Sequence, residues 1–303
     1  MAKVTFWQGI ERVKPPVFNY HRPETLAEAL ELLANLDDAK ILAGGQSLMP
    51  MMNFRYVMPE DVVDINRIGE LAEINSTSDG LVFGAMVRHN QAKESPLVAE
   101  RCPLIAYGME FVAHVQIRNR GTIGGSLSHL DPSAEWPALL AAYDAVLQVQ
   151  SKSGGRDVPI LEWSQGFMTP NLQEGEMLTG ISVPSWPAGH TYGFAELARR
   201  KGDFALAGAA ALLHFDGDRI ARAAIALTGV DTGPVRLAEA EESLVGNVPS
   251  DNLFQDAASQ ASSVAGIDDV HASAAYRQKI AVVMARRALE EALARKNGEA
   301  LAA

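Results

Sequence analysis

Cysteine is almost missing from this sequence of 303 residues: Cys102 stands alone. One thiol closes no intrachain disulfide, and it cannot hold an iron–sulfur cluster, which takes about four thiolates. The apolar setting Arg101-Cys102-Pro103-Leu104 reads as a buried structural thiol rather than a nucleophile. Positive charge is also short, with 26 Lys and Arg against 37 Asp and Glu and a formal net charge of −11. A nucleic-acid binder needs a basic face, so that class is disfavoured. No apolar run approaches the roughly 20 residues of a membrane span. Met1 to Ile10 hold no apolar core of signal-peptide length. A cytoplasmic location is therefore expected, with any export depending on a partner.

Catalytic signatures are scarce as well. There is no Gly-x-Ser-x-Gly elbow and no Gly-Lys-Ser/Thr phosphate loop. No Gly-x-Gly-x-x-Gly fingerprint occurs in the glycine-rich stretches. His129-Leu130-Asp131 offers two metal ligands where three or four are needed, so a hydrogen-bonding role is expected and no metal. Asp131 and Glu135 suit paired acid–base carboxylates, or caps and hydroxyl contacts beside Pro132. His89 and His114 read as structural or surface histidines.

What is present is an ordinary globular composition, 48% hydrophobic and 21% charged, long enough for about two domains. Two stretches share a theme: Ile41-Leu42-Ala43-Gly44-Gly45-Gln46-Ser47-Leu48 and Arg118-Asn119-Arg120-Gly121-Thr122-Ile123-Gly124-Gly125-Ser126. Each enters a Gly-Gly pair from an apolar run and leaves through a small polar residue. Glycine pairs let successive N–H groups converge on one point, which makes an anion nest. Either loop alone reads as a tight turn; together they suggest two walls around one phosphate-bearing ligand. Gly154-Gly155 lacks the apolar lead-in and reads as a hairpin turn. Met49-Pro50-Met51-Met52 suits core filler or soft contacts to a flat ligand. The segment from Phe194 through Arg199-Arg200-Lys201-Gly202-Asp203 is a strand ending in a basic turn, or the edge of a ligand site.

Along the chain, Thr25-x-x-Glu28 is a capping box before a helix carrying Leu26, Ala29, Leu30 and Leu33. Strands are expected at 40–43, 62–65, 81–87 and 145–150, and helices at about 95–112 and 138–143. The polar stretch Asn171–Gly175 marks a domain boundary. Strands at 177–183, 192–198, 208–215 and 221–227 follow, with Asp216-Gly217 as a hairpin turn. Helices at 237–244, 251–264 and 273–296 come last. Strands first and helices after make an α+β pattern. The expected domains are 1–175, with subdomains of about 1–60 and 61–175, and 176–303.

Ala43-Gly44-Gly45-Gln46-Ser47, Thr122-Ile123-Gly124-Gly125 and Arg199-Arg200-Lys201-Gly202-Asp203, in that order, resemble the FAD-binding medium subunit of molybdenum hydroxylases. That group includes the flavin subunits of aerobic carbon monoxide dehydrogenase and of N-heterocycle hydroxylases, and it is similar to the flavin domain of xanthine dehydrogenase. The resemblance spans almost the whole chain. It implies a vanillyl-alcohol-oxidase (PCMH)-type FAD domain of two α/β subdomains, then a C-terminal domain with a three-stranded antiparallel sheet and helices. It implies that Ile41 to Leu48 and Thr122 to Ser126 hold the FAD pyrophosphate through backbone N–H groups, with Val112 and Ala113 also at the cofactor. His129, Asp131 and Glu135 would meet ribityl or ribose hydroxyls, and Leu178 and Phe194 would face the flavin. Ser126 stands where relatives carry Asp or Asn, and Glu196 where several have Lys.

The resemblance also implies that the substrate chemistry lies on other chains. A large subunit would carry the molybdenum cofactor, and a small one two [2Fe-2S] clusters, in a dimer of heterotrimers. FAD here would pass electrons to an external acceptor such as NAD, oxygen or a quinone while the large subunit hydroxylates an N-heterocyclic aromatic or oxidises carbon monoxide. A flavin that relays electrons needs no catalytic side chain from this subunit. The alternatives are a stand-alone flavin oxidoreductase of the same fold, and a scaffold that lost its flavin, which the intact glycines disfavour.

Overall fold

The computed structural model describes residues 15–299. Strands β1 (Asn19–His21), β2 (Ala39–Leu42) and β3 (Asp61–Asp64) make a parallel sheet in the order β1-β3-β2. Helix α1 (Leu26–Asn35) is the crossover between the first two. Its capping box forms as expected: Glu28 N–H donates to Thr25 Oγ1 at 3.2 Å, and Thr25 N–H donates to the Glu28 carboxylate at 3.3 Å. Ala29, Leu30 and Leu33 recur at helical spacing and pack on Val63 and Ile65. The first glycine loop joins β2 to α2 (Leu48–Asn53).

After β4 (Ile74–Ser76) and β5 (Gly80–Gly84) the chain runs through short helices. These are α3 (His89–Glu94), α4 (Pro96–Arg101), α5 (Pro103–Gly108), α6 (Val115–Arg118), α7 (Ile123–His129) and α8 (Glu135–Ala142). The single helix expected at 95–112 is broken because Pro103 restarts the chain after Cys102. Strands β6 (Val146–Ser151) and β7 (Gly154–Pro159) form a hairpin, and β8 (Ser164–Gly166) and β9 (Thr169–Pro170) a small one.

Strand β10 (Met177–Pro184) corrects the expected boundary at 175. It is the central strand of a five-stranded sheet, β4-β5-β10-β6-β7, antiparallel to both neighbours. The break between sheets therefore falls after Pro184. A strand buried over most of its length reads alike whichever sheet it joins, so its sequence pattern could not place it. Likewise β3 pairs with β1 and β2, which carries the first subdomain beyond residue 60.

The C-terminal sheet is an antiparallel meander of β11 (Thr191–Ala198), β12 (Ala205–Asp216), β13 (Arg219–Thr228) and β14 (Val235–Arg236). Three strands are long, as expected, and the fourth is a two-residue edge. Side chains alternate along β12. Ala209, Ala211 and Leu213 face the helical side, while Ala210 and Leu212 join the core of the first domain around Trp136 and Phe194. Helices α9 (Ala238–Leu244), α10 (Asp251–Ser259) and α11 (Ala274–Asn297) cover the outer face. The small stripe Ala281, Ala285, Ala288 and Ala292 brings α11 close to the sheet. A Cβ at Gly193 would lie 1.9 Å from the Ala288 carbonyl, so only glycine permits this approach. Among the described residues no helix is long and apolar enough to cross a membrane.

Candidate cofactor site

The two glycine loops meet. A Cβ at Gly44 would stand 2.4 Å from the Arg120 carbonyl and 2.8 Å from Gly121 Cα. Bare glycine therefore lets one loop rest directly on the backbone of the other. Beside this contact opens a cleft of about 800 Å³, within the range of roughly 300–1,000 Å³ typical of small-molecule sites. Ala43 to Leu48 form one wall; Thr122, Gly124, Gly125, Ser128 and His129 form another.

The loops differ in what they offer. The N–H groups of Gly44, Gly45, Gln46, Ser47 and Leu48 find no acceptor among the described residues. Gly45 turns with φ +71°, and the Gln46 amide ties back to the Gly44 carbonyl at 3.0 Å, holding the loop open. A run of free N–H groups lining a cleft suits an anion. In the second loop the donors of Ile123 to Ser126 are taken. Ile123 N–H goes to the Val87 carbonyl at 3.0 Å and Gly124 N–H to the Ala85 carbonyl at 2.8 Å. Gly125 N–H goes to Thr122 Oγ1 at 3.0 Å, and Ser126 N–H to the Thr122 carbonyl at 3.0 Å. Thr122 is thus the N-cap of α7, and its own hydroxyl proton stays free to donate.

Support for this second wall runs deep. A register shift in β10 between Leu178 and Gly180 leaves the Thr179 carbonyl to accept from Ala85 N–H at 3.0 Å, and Ala85 in turn holds Gly124. The same bulge lets Leu178 line the cleft. His89 lies behind Gly121, and its Nδ1 accepts from Trp136 Nε1–H at 2.8 Å. Burial, then the charges of Arg118 and Arg88, push His89 down to about 4, so it stays neutral there.

Of the residues expected at the cofactor, Ile41, Ala43, Gly44, Gly45, Gln46, Ser47, Leu48, Thr122, Gly124, Gly125, His129 and Leu178 line the cleft. Leu42, Ile123, Ser126, Val112, Ala113, Asp131, Glu135 and Phe194 do not. Ile123 and Val112 face the core. The carbonyls of Val112 and Ala113 accept from Arg118 at 2.8 and 2.9 Å. Asp131 is spent on a local turn, accepting from Ser133 N–H at 2.9 Å. Phe194 is fully buried, edge-on to Phe111 with centroids 4.9 Å apart. It sits on the inward side of its strand, which alternation fixes and a motif does not show.

Glu135 and Glu196 form an acidic pair beneath the seam of the two domains. Burial, then the charge of Asp131, lifts Glu135 to about 7; burial, then the charge of Glu135, lifts Glu196 to about 8. Glu196 Oε2 is buried with no hydrogen-bond partner among the described residues. The basic turn after β11 packs elsewhere: a Cβ at Gly202, which has φ +88°, would lie 2.5 Å from His114 Cε1, and Arg199 approaches His271 at 3.4 Å.

Sequence reading missed one wall. Met168, Pro170 and Leu172 to Met177 line the cleft, as do Leu33 and Leu36 to Lys40. Leu172 to Gly175, within the stretch expected to mark a domain boundary, line the cleft; polar composition carries no signal that separates the two roles. Met51 lines the cleft, whereas Met52 is fully buried as core filler. Among the described residues no group of three or more His, Cys, Asp or Glu is arranged to hold a metal.

These features agree with the comparisons. Residues 16–186 match the FAD binding domain in molybdopterin dehydrogenase, and residues 192–292 match the CO dehydrogenase flavoprotein C-terminal domain. The chain therefore belongs to the family of FAD-binding medium subunits of molybdenum-containing dehydrogenases. It is 40% identical over 288 residues to the 6-hydroxypseudooxynicotine dehydrogenase complex subunit alpha of Paenarthrobacter nicotinovorans, covering 93% of this chain and 97% of that one. A chain of the carbon monoxide dehydrogenase of Hydrogenophaga pseudoflava superposes with a TM-score of 0.89 at 39% identity, covering 93% of this chain and 99% of the other. A chain of the quinoline 2-oxidoreductase of Pseudomonas putida 86 superposes with a TM-score of 0.88 at 38% identity, covering 92% and 98%.

Proposed function

We propose that this chain holds FAD in the cleft between the two glycine loops. FAD held there would supply the relay between [2Fe-2S] clusters of a small partner subunit and an external acceptor. A large partner subunit with a molybdenum cofactor hydroxylates the substrate, in a dimer of heterotrimers in the cytoplasm. The observation that carries the cofactor assignment is the free N–H run of Gly44 to Leu48, opposite the Thr122 hydroxyl. These groups bind and orient a pyrophosphate. Leu178, Met51 and Ala85 supply apolar lining that keeps water from the rest of the cofactor. Bound FAD supplies the electron chemistry; the chain supplies position and field. For the substrate we take an N-heterocyclic aromatic, by analogy with the 6-hydroxypseudooxynicotine and quinoline relatives; the carbon monoxide dehydrogenase chain is as similar, so assay of the complex with both substrate classes decides.

The purified chain is expected to be yellow and to release one FAD on denaturation, and co-purifying chains are expected to carry molybdenum and iron. Protein that takes up no FAD would overturn the assignment. Turnover of a small substrate by the chain alone would favour a self-sufficient oxidoreductase. Gly125→Val tests the wall directly. Its Cβ would start 2.7 Å from Thr122 Oγ1 and project beside Ala43, 3.9 Å away. Loss of FAD from a variant that still folds is expected; unchanged FAD content would show that the pyrophosphate lies elsewhere.

A further inference from the structure

We propose that Arg88 and Asn66 are positioning residues: together they clamp the two glycine loops at the spacing the FAD pyrophosphate needs. The inference rests on the FAD reading above. Arg88 follows β5 and precedes α3, and its guanidinium is half-buried behind both loops. Its Nη1 donates to the Arg120 carbonyl, the group on which Gly44 rests. Its Nη2 donates to Asn66 Oδ1 at 2.5 Å. Asn66 Nδ2 donates in turn to the Ala43 carbonyl at 2.8 Å and more weakly to the Leu42 carbonyl at 3.4 Å. Asp64 Oδ1 accepts from the Asn66 side chain at 2.6 Å and from its N–H at 2.9 Å, which fixes the amide's orientation.

One cation therefore reaches both loops through a planar fork. The main chain at Arg88 adds a second tie, since the residue is bridged antiparallel to Thr122. Carbonyls of Leu42 and Ala43 held from behind leave the next five N–H groups free on the cleft side. Lysine cannot copy this, because it is a point charge without a two-direction fork. The charged neighbours are Asp64, which favours the guanidinium, and Arg120, which opposes it.

The experiment compares wild type, Arg88→Ala, Arg88→Lys and Asn66→Ala as full-length chains. Readouts are FAD affinity by fluorescence titration and amide hydrogen exchange at Gly44 to Leu48 in the FAD-free protein. Arg88→Ala is expected to bind FAD about tenfold or more weakly, the scale of one charged hydrogen-bond contact. Guanidinium ion should restore much of that affinity, while sodium ion at equal ionic strength should not. Arg88→Lys should stay weak although it keeps the charge. Asn66→Ala should weaken FAD in the same direction, and the double variant should lose no more than the worse single one. Exchange at Gly44 to Leu48 should speed up in each variant. Wild-type affinity in Arg88→Ala, or full rescue by Arg88→Lys, would overturn the clamp. If wild type itself takes no FAD, the cofactor reading fails, and unchanged exchange in the variants then overturns the clamp separately. If Arg88→Ala does not fold, Asn66→Ala alone decides by the same two readouts.

Discussion

Glu196→Gln isolates the cost of an acid held without a partner. The Glu196 carboxyl is raised from 4.5 to about 8, first by burial and then by the charge of Glu135. A raised carboxyl favours the protonated form in the folded chain. Its stabilisation is full below 4.5 and is lost as pH rises toward 8, because the unfolded chain ionises first. Between pH 4.5 and 7 the unfolded state gains 2.5 pH units on this group. At about 1.4 kcal/mol per unit that is roughly 3 kcal/mol. Glutamine keeps the shape of the protonated acid and cannot ionise. With an unfolding entropy of roughly 2.1 cal/mol/K per residue, a chain of this length gains about 5 °C for that free energy. FAD-free Glu196→Gln should therefore melt about 5 °C above wild type at pH 7 and level with it near pH 4.5. Thermal unfolding by circular dichroism across pH 4.5–8 measures both curves. Parallel curves for the two proteins would refute the reasoning, since they would mean that Glu196 carries no proton linkage.

The acid limb belongs to His89, whose value falls from 6.5 to about 4. The folded chain excludes the proton that the unfolded chain takes up, so about 3 kcal/mol is lost as pH falls from 6.5 to 4. His89→Gln should flatten that slope in urea titrations at stepped pH. Cys102 is 1% exposed and burial pushes its thiol up to about 12. Iodoacetamide at pH 8 should label it only after denaturant is added, and rapid labelling of the folded chain would contradict its place in the core.

Much of the fold was legible because local chemistry agreed with the global answer. The Thr25–Glu28 box, the α1 stripe and the Asp216-Gly217 turn each name an element on their own. The boundary at 175 was misplaced for a physical reason. Strand β10 is apolar along most of its length, and its pairing with β5 and β6 is a non-local fact. The glycine loops were legible as a pair. The residues carried beyond them were less so: a motif gives order along the chain, while strand alternation decides that Phe194 points into the core. Asn66 and Arg88 bear no signature at all, since their role exists only where three distant segments converge.

The asymmetry of the two loops follows from what surrounds them. The first leaves the edge strand of a three-stranded sheet, where nothing beyond β2 competes for its N–H groups. The second is pressed between Ala85, Val87 and α8, and a buried N–H without an acceptor is costly there, so those of Ile123 to Ser126 are matched inside the protein. A Cβ at Gly124 would meet the Ala85 carbonyl at 2.7 Å. Glycine is thus needed at 124 for packing, and at 125 a Cβ would stand 2.7 Å from the Thr122 hydroxyl that caps α7. Two sequence motifs that look alike arise from different constraints: one loop keeps its donors free at the cleft, and the other gives up those of Ile123 to Ser126 to become a rigid wall.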